Sequence, residues 1–407
     1  MTEITGRSWN ADHSSTQRRF FFAVVSLAIA SAIWLPSIHF IFVPTVENYY
    51  REAGISPIVR ELVNQHLKLW NDPQLREKEI SRMRGSNAEW DFMGRTFLVL
   101  ALANLGLRDR EGKADYLQII DRIIDETIRL EKEKSFYFFL MGYSRTGNFI
   151  ASPARSIFVD GEIALMIGAR RIVEERTDYK PLLRERVDAM QFQMMQSPVL
   201  CGESYPDECW IFCNSIALVA MRVYDVLDGQ NHDDFIQEWL STAKSRLVEN
   251  STGLLVSSLR LNGTHGDGPE GSTIWLVVHC LQLLDEAFAR DQYQRARKEL
   301  FRSLGGFGYA SEWPKSCKSG SDIDSGPIIP VLELSAGSTG LAFLGAATFG
   351  DTEFLKALIM SLELGAFPIR KDGCLRYAGS NQVGDAVLLY ALTTGPLWKE
   401  IKTRMRK

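Results

Sequence analysis

Apolar residues recur at three- and four-residue spacing through almost the whole chain after residue 55, and long alternating strands are missing. Segments near 89–106, 156–173, 209–228, 270–288, 328–348 and 383–395 are apolar on most sides. Between them lie more charged, amphipathic segments at 113–132, 180–195, 233–248, 291–303 and 352–364, with 56–84 before the first. A helix apolar all round is buried, whereas an amphipathic one faces water on one side. Six buried helices alternating with surface helices predict an all-α fold, an (α/α)6 barrel of inner and outer helices. A plain helical solenoid is the alternative. No residue-level repeat accompanies the alternation.

The N-terminus carries a different constraint. The run FFFAVVSLAIASAIWLPSIHFIFVP, residues 20–44, has no charged side chain and exceeds the ~20 residues that cross a bilayer. Arg7, Arg18 and Arg19 precede it, which puts the N-terminus in the cytoplasm and the body on the far side. Ala30-Ser31-Ala32 resembles a cleavage site, but the apolar run continues past it. The expected organisation is a cytoplasmic tail (1–19), a transmembrane signal anchor (20–44) and a single barrel domain (45–407). The exported side permits disulfides, and also glycosylation at Asn250-Ser-Thr and Asn262-Gly-Thr. A net charge of −4 without a basic stripe excludes a nucleic-acid binder.

Each apolar helix begins with an acid: Asp91, Asp160 and Glu162, Asp207, Glu270, Asp322 and Asp324, Asp385. Parallel inner helices gather these acids around one barrel mouth. Capping explains acids at helix starts in general, and Asp385 is read as a plain cap. Glu162 fits capping less well, because it shares a stripe with Phe158, Leu165, Met166 and Ala169. A carboxyl there is either paired, with Arg170 or Arg95, or raised in pKa and useful as a general acid.

Three of the six cysteines lie in CGESYPDECWIFCNS, residues 201–215. The spacing of Cys201, Cys209 and Cys213 without a nearby histidine is a poor zinc pattern. Core packing, a disulfide from Cys201 to Cys209 or Cys213, and a protonated thiol at the cavity mouth stay open. The acids beside them favour the thiol form over thiolate. No metal or dinucleotide fingerprint occurs, so no cofactor is expected.

At PDECWIFCNSIALVAMRVYDVLDG, residues 206–229, the chain resembles the linalool dehydratase-isomerase family, through Pro206-Asp207, Cys213-Asn214-Ser215 and Val223-Tyr224-Asp225. A weaker likeness runs through FVDGEIALMIGARRIVEE and LRYAGSNQVGDAVLL. The resemblance implies an (α/α)6 barrel, oligomeric, working without cofactor in an exported compartment on a tertiary allylic terpenoid alcohol. It carries the family's helix-start cysteine to Cys213. Its loop cysteine maps to Cys201 with a three-residue insertion, or to Ser204 without one. Where the family has a Gly-His pair this chain has Gly161-Glu162, which puts linalool itself in doubt as the substrate.

The expected activity is a cofactor-independent lyase or isomerase on a small hydrophobic, unsaturated alcohol. Glu162 or Asp91 would be the acid, with Cys213, Cys201 or Asp207 as partner. Tyr377, Trp210, Trp275, Glu270 and Asp324 would line the substrate, Tyr377 positioning its hydroxyl. The rivals are a carbohydrate-active enzyme using paired carboxylates, kept alive by Trp90, Trp210, Trp275 and Trp313, and a membrane-anchored binding scaffold. A homo-oligomer is compatible with any of these.

Overall fold

A computed structural model describes residues 9–51, 53–317 and 325–406. Helix α1 (Trp9–Ser37) is followed by short 3-10 turns, Ile38–Phe42 and Val46–Asn48, then by α2 (Pro57–Asn71) and α3 (Pro73–Ser86). The rest alternates between two layers. The inner helices are α4 (Ala88–Arg108), α6 (Ile157–Val173), α8 (Ile211–Asp228), α10 (Gly271–Leu284), α12 (Ala336–Phe349) and α14 (Gln382–Thr393). The outer ones are α5 (Lys113–Lys134), α7 (Tyr179–Met194), α9 (Asp233–Arg246), α11 (Glu286–Leu300) and α13 (Thr352–Gly365). A last helix, α15 (Pro396–Met405), follows.

The inner helices close on themselves: α4 packs on α6, α6 on α8, α8 on α10, α10 on α12, α12 on α14, and α14 on α4. This is the (α/α)6 ring that the alternation predicts, with α2 packing on α14 and on the outer helix α5. Its buried apolar side chains form one continuous cluster, and every residue of α6 is buried. Close approach of α6 to α8 is helped by Gly168, where a Cβ would sit 2.6 Å from Val223 Cγ1.

Sequence expectation and structure part company in three places. The segment 56–84 is two helices, because Pro73 starts a new one and Asp72 caps it, accepting from Gln74 N and Leu75 N at 3.0 Å. The first part of 328–348 is not helical, since Pro330 cannot sit in a helix interior. It forms β5 (Ile328–Ile329) and β6 (Leu334–Ser335) instead. The third is α15, which the alternation did not call for. It lies across the C-terminal ends of the inner helices: Leu397 N donates to Asn104 Oδ1 at 2.9 Å, and Arg404 donates to the Ile172 carbonyl at 3.1 Å. That end is therefore closed.

Short antiparallel pairs decorate the connections: β1 (Cys209–Trp210) with β2 (Ser258–Leu259), β3 (Phe301–Leu304) with β4 (Phe307–Ala310), β5 with β6, and β7 (Pro368–Lys371) with β8 (Cys374–Tyr377).

At the other end, the starts of several inner helices show partial exposure among the described residues, on helices that are otherwise sealed. In the first two turns, Trp90, Met93 and Gly94 of α4, Thr339 and Gly340 of α12, and Gln382, Val383 and Gly384 of α14 are half-buried. Among the described residues, nothing lies within 4 Å of where a Cβ on Gly340 would be. The starts of α6 and α8 are covered. Finally, Thr16–Phe42 is long and apolar enough to cross a membrane, with none of its most apolar window buried.

Candidate active site

The block around the cysteines is built as a clamp. Asn214, in the first turn of α8, accepts from Gly202 N at 2.7 Å and donates to the Gly202 carbonyl at 3.0 Å. Ile157 N donates to the Glu203 carbonyl at 2.8 Å, and Ser156 Oγ to the Ser204 carbonyl at 2.7 Å, so the same loop is tied to the start of α6. The buried Glu203 carboxylate gathers the backbone N–H groups of Ile150, Ala151 and Asp207 at 2.6–3.0 Å. Three converging N–H donors satisfy a carboxylate that burial would otherwise penalise. The result fixes Ser204 against Cys213, whose thiol it hydrogen-bonds.

Glu162 lies beside this pair. It is 1% exposed, and Thr96 Oγ1 of α4 donates to its Oε2 at 2.5 Å. Its Oε1 has no hydrogen-bond partner among the described residues. Neither expected arginine reaches it: Arg170 pairs with Asp121 at 2.7 Å and Arg95 with Asp91 at 2.8 Å. Burial pushes the Glu162 carboxyl up to about 8; the Thr96 hydrogen bond opposes this and the nearby Glu89 carboxylate adds to it. At neutral pH Glu162 therefore holds its proton. Burial likewise pushes the Cys213 thiol well above its ordinary value; the Ser204 hydrogen bond opposes this, and Glu162 and Glu89 reinforce it. Two neutral proton donors thus stand together in a water-poor wall, beneath the half-exposed rim of α4.

Glu89 is the residue that the sequence reading passed over in favour of Asp91. It accepts a short hydrogen bond from the buried Tyr205 hydroxyl, which also receives Met141 N at 2.9 Å. Spacing held the signal. Glu89 and Thr96 are seven apart and share a face of α4, whereas Asp91 and Arg95 are four apart, the register of an ion pair.

The remaining expected site residues are placed as follows. Asp91 is locked between Arg95 at 2.8 Å and Arg84 at 3.1 Å, facing the outer layer where Arg95 also meets Glu126. Asp207 is a turn residue with φ +56, accepting from Leu261 N at 3.1 Å. Cys201 does not meet Cys213: its thiol points to the Val199 carbonyl at 3.6 Å and lies against Trp239 of the outer α9. The position one helical approach away from Cys213 belongs to Ser204, which favours the ungapped correspondence. All six cysteines are free, so the disulfide alternative falls.

Trp275 is wholly buried towards the outer layer, against Tyr293 and Phe354, donating to Ser338 Oγ at 3.1 Å. Tyr377 is also buried in the outer layer, donating to Glu363 at 3.1 Å. Glu270 precedes α10, its backbone N–H held by Ser257 Oγ at 2.9 Å. Trp210 is half-buried at the start of α8, its indole 3.5 Å from Glu208. Asp322 and Asp324 lie outside the described residues. Asp385 is no cap: Asn381 caps α14, accepting from Gly384 N at 3.0 Å, and the buried Asp385 carboxyl is pushed up to about 7 by desolvation.

Two solved structures are similar to the chain. A GH76 α-mannanase of Bacteroides thetaiotaomicron is 11% identical, with 76% of this chain and 87% of that one covered and a TM-score of 0.48. A glycoside hydrolase of family 105 from C. acetobutylicum is 13% identical, with 83% and 99% covered and a TM-score of 0.43. In sequence, residues 171–383 match the family described as linalool dehydratase/isomerase. That span is more than half the chain and includes Ser204 and Cys213, while Glu89, Thr96 and Glu162 precede it. The chain belongs to the linalool dehydratase/isomerase family.

Proposed function

We propose that the protein is a cofactor-independent lyase or isomerase acting on a small unsaturated alcohol of terpenoid type, with Glu162 as the general acid. The single observation that carries this is a buried, arginine-free carboxyl with one unpartnered oxygen beside the Cys213 thiol. Glu162 donates its proton to the leaving hydroxyl oxygen, the C–O bond breaks with its electron pair, and water departs. The allylic cation left behind is flanked by the rings of Phe92 and Phe158, one turn before Thr96 and Glu162, which shield it from water. Glu89, on the same face of α4, takes the carbon-bound proton, and the Cys213–Ser204 pair positions the hydroxyl. Proton transfer then relays from Glu89 back to Glu162 through the active-site groups or through water. An acid and a base on facing helices meet the requirement of such chemistry.

The protein is further proposed to be held by an uncleaved α1, its barrel on the non-cytoplasmic side, in keeping with the arginines before the apolar run. A second reading, a carbohydrate-active enzyme with a carboxylate pair, draws on Glu89 lying near Glu162.

The test is a mass-spectrometric screen of the purified protein against terpenoid alcohols and oligosaccharides. Loss of water from, or allylic transposition of, an alcohol, abolished in Glu162→Gln, is the expected result. Cleavage of an oligosaccharide with no turnover of any alcohol would replace this reading by the second.

A further inference from the structure

The end of α1 is seated on the barrel by a purpose-built contact. At the β3–β4 turn, Gly305 and Gly306 have φ of +55 and +91. A Cβ on Gly306 would lie 2.4 Å from the His39 ring, and one on Gly305 would lie 3.4 Å from the Leu35 carbonyl. Glycine is thus required both for the backbone and for the approach of the chain. His39 and Phe42 meet Phe307 at ring separations of 6.4 and 6.0 Å, and Ile38–Phe42 also packs on α13. The apolar stretch ends at Phe42, so whatever holds that residue sits at the membrane surface.

The elements that hold it carry apolar side chains with no cover. Phe40 and Ile41 are 69% and 74% exposed, Leu304 at the turn is 59% exposed, and Phe367, just beyond α13, is 64% exposed. Leu364 and Ile369 flank Phe367 and are exposed as well. Phe367 also has a φ of +52, an uncommon conformation for a bulky residue. A strained backbone that presents a large apolar ring to the outside needs a partner for that ring. We propose that this partner is the lipid bilayer holding α1. The barrel then rests on the membrane through Phe40, Ile41, Leu304 and Phe367 rather than hanging from a free tether. The patch is continuous with the end of the span, which selects lipid over a second copy of the chain. An apolar substrate dissolved in the bilayer would meet the enzyme at its source. This proposal rests on the reading of α1 as an uncleaved span.

The test uses the full chain in vesicles of phosphatidylcholine and phosphatidylglycerol, with Cys317→Ser and Cys374→Ser removing the less buried thiols. Spin labels are placed singly by Ile33→Cys in α1, Leu304→Cys, Phe367→Cys, and Met405→Cys at the closed end. Docking predicts that labels at 33, 304 and 367 collide with oxygen more than with a water-soluble nickel chelate, and that the label at 405 does the reverse. A lipid-phase label at 33 with aqueous labels at 304 and 367 would overturn the docking and leave the anchor standing. An aqueous label at 33 would overturn the anchor and the docking together. Labels at 367 shielded from both reagents and broadened by one another, with the broadening relieved by unlabelled protein, would assign the patch to a contact between copies and also overturn the docking.

Discussion

Paired and unpaired positions on the same two inner helices, α4 and α6, treat their acids in opposite ways. On the outer-facing side of α4, Asp91 is sandwiched between Arg84 and Arg95, and at the start of α6 Asp160 is held by Arg155 at 2.6 Å and Arg186 at 2.7 Å. Two residues on from Asp160, Glu162 is equally buried and, among the described residues, is hydrogen-bonded by a threonine hydroxyl alone. The first arrangement locks a charge in place; the second makes charge expensive and so retains a proton. Acids gathered by one topology thus divide into ion-paired fasteners and one held without an arginine.

The largest separation of the two classes is expected from substituting each. Glu162→Gln should lower kcat by about 10²–10⁴, the usual range for a lost general acid, while leaving the thermal midpoint no lower than wild type. Asp91→Asn should do the reverse: it takes one carboxylate from the buried Arg95, which keeps Glu126, and one from the half-buried Arg84, and should cost about 1–3 kcal/mol in denaturant unfolding, with turnover per folded molecule little changed. If Asp91→Asn abolished turnover in a fully folded protein, the division would fail.

The pH dependence of stability sharpens the same contrast. The folded-state pKa of Glu162 is raised to about 8 from an ordinary 4.5. Below the unfolded value both states are protonated, so the group is neutral in effect. As pH rises, the unfolded chain releases its proton while the folded one keeps it, so stability falls until the folded pKa is passed. Wild type should therefore lose on the order of a few kcal/mol relative to Glu162→Gln between about pH 5 and pH 8.5. Parallel urea midpoints for the two proteins across that range would contradict the raised pKa.

Smaller effects separate the cysteines. Cys213→Ala should reduce kcat/KM by about tenfold, more through a raised KM than through kcat, because the thiol positions the hydroxyl. Cys201→Ala should leave kinetics within about twofold and cost about 1 kcal/mol of stability, because that thiol packs beneath Trp239 away from Glu162.

The ring was legible because burial on all sides writes a continuous apolar run, and six such runs at similar spacing admit few architectures. Glu162 stood out for the same reason, as an acid on an apolar stripe. What escaped reading depends on contacts distant in sequence. The four-residue spacing of Asp91 and Arg95 allows their ion pair to be read locally, but that Glu89, two residues before Asp91, lies near Glu162 shows only once α6 and the Tyr205 loop arrive. Ser204 rather than Cys201 meets Cys213 because Asn214 and Glu203 bend the loop through backbone groups, which composition does not encode. Trp275 and Tyr377 were read as lining because they lie near acids in sequence, yet their helix and strand turn them towards the outer layer.

The central claim is that Glu162 is a protonated acid at neutral pH. Infrared difference spectroscopy of wild type against Glu162→Gln reads it directly, both in an Asp385→Asn background that removes another buried carboxyl of raised pKa. The account predicts a protonated carboxylic C=O band at neutral pH that belongs to Glu162 and titrates away with a midpoint near 8. A carboxylate already formed at mildly acid pH would contradict it.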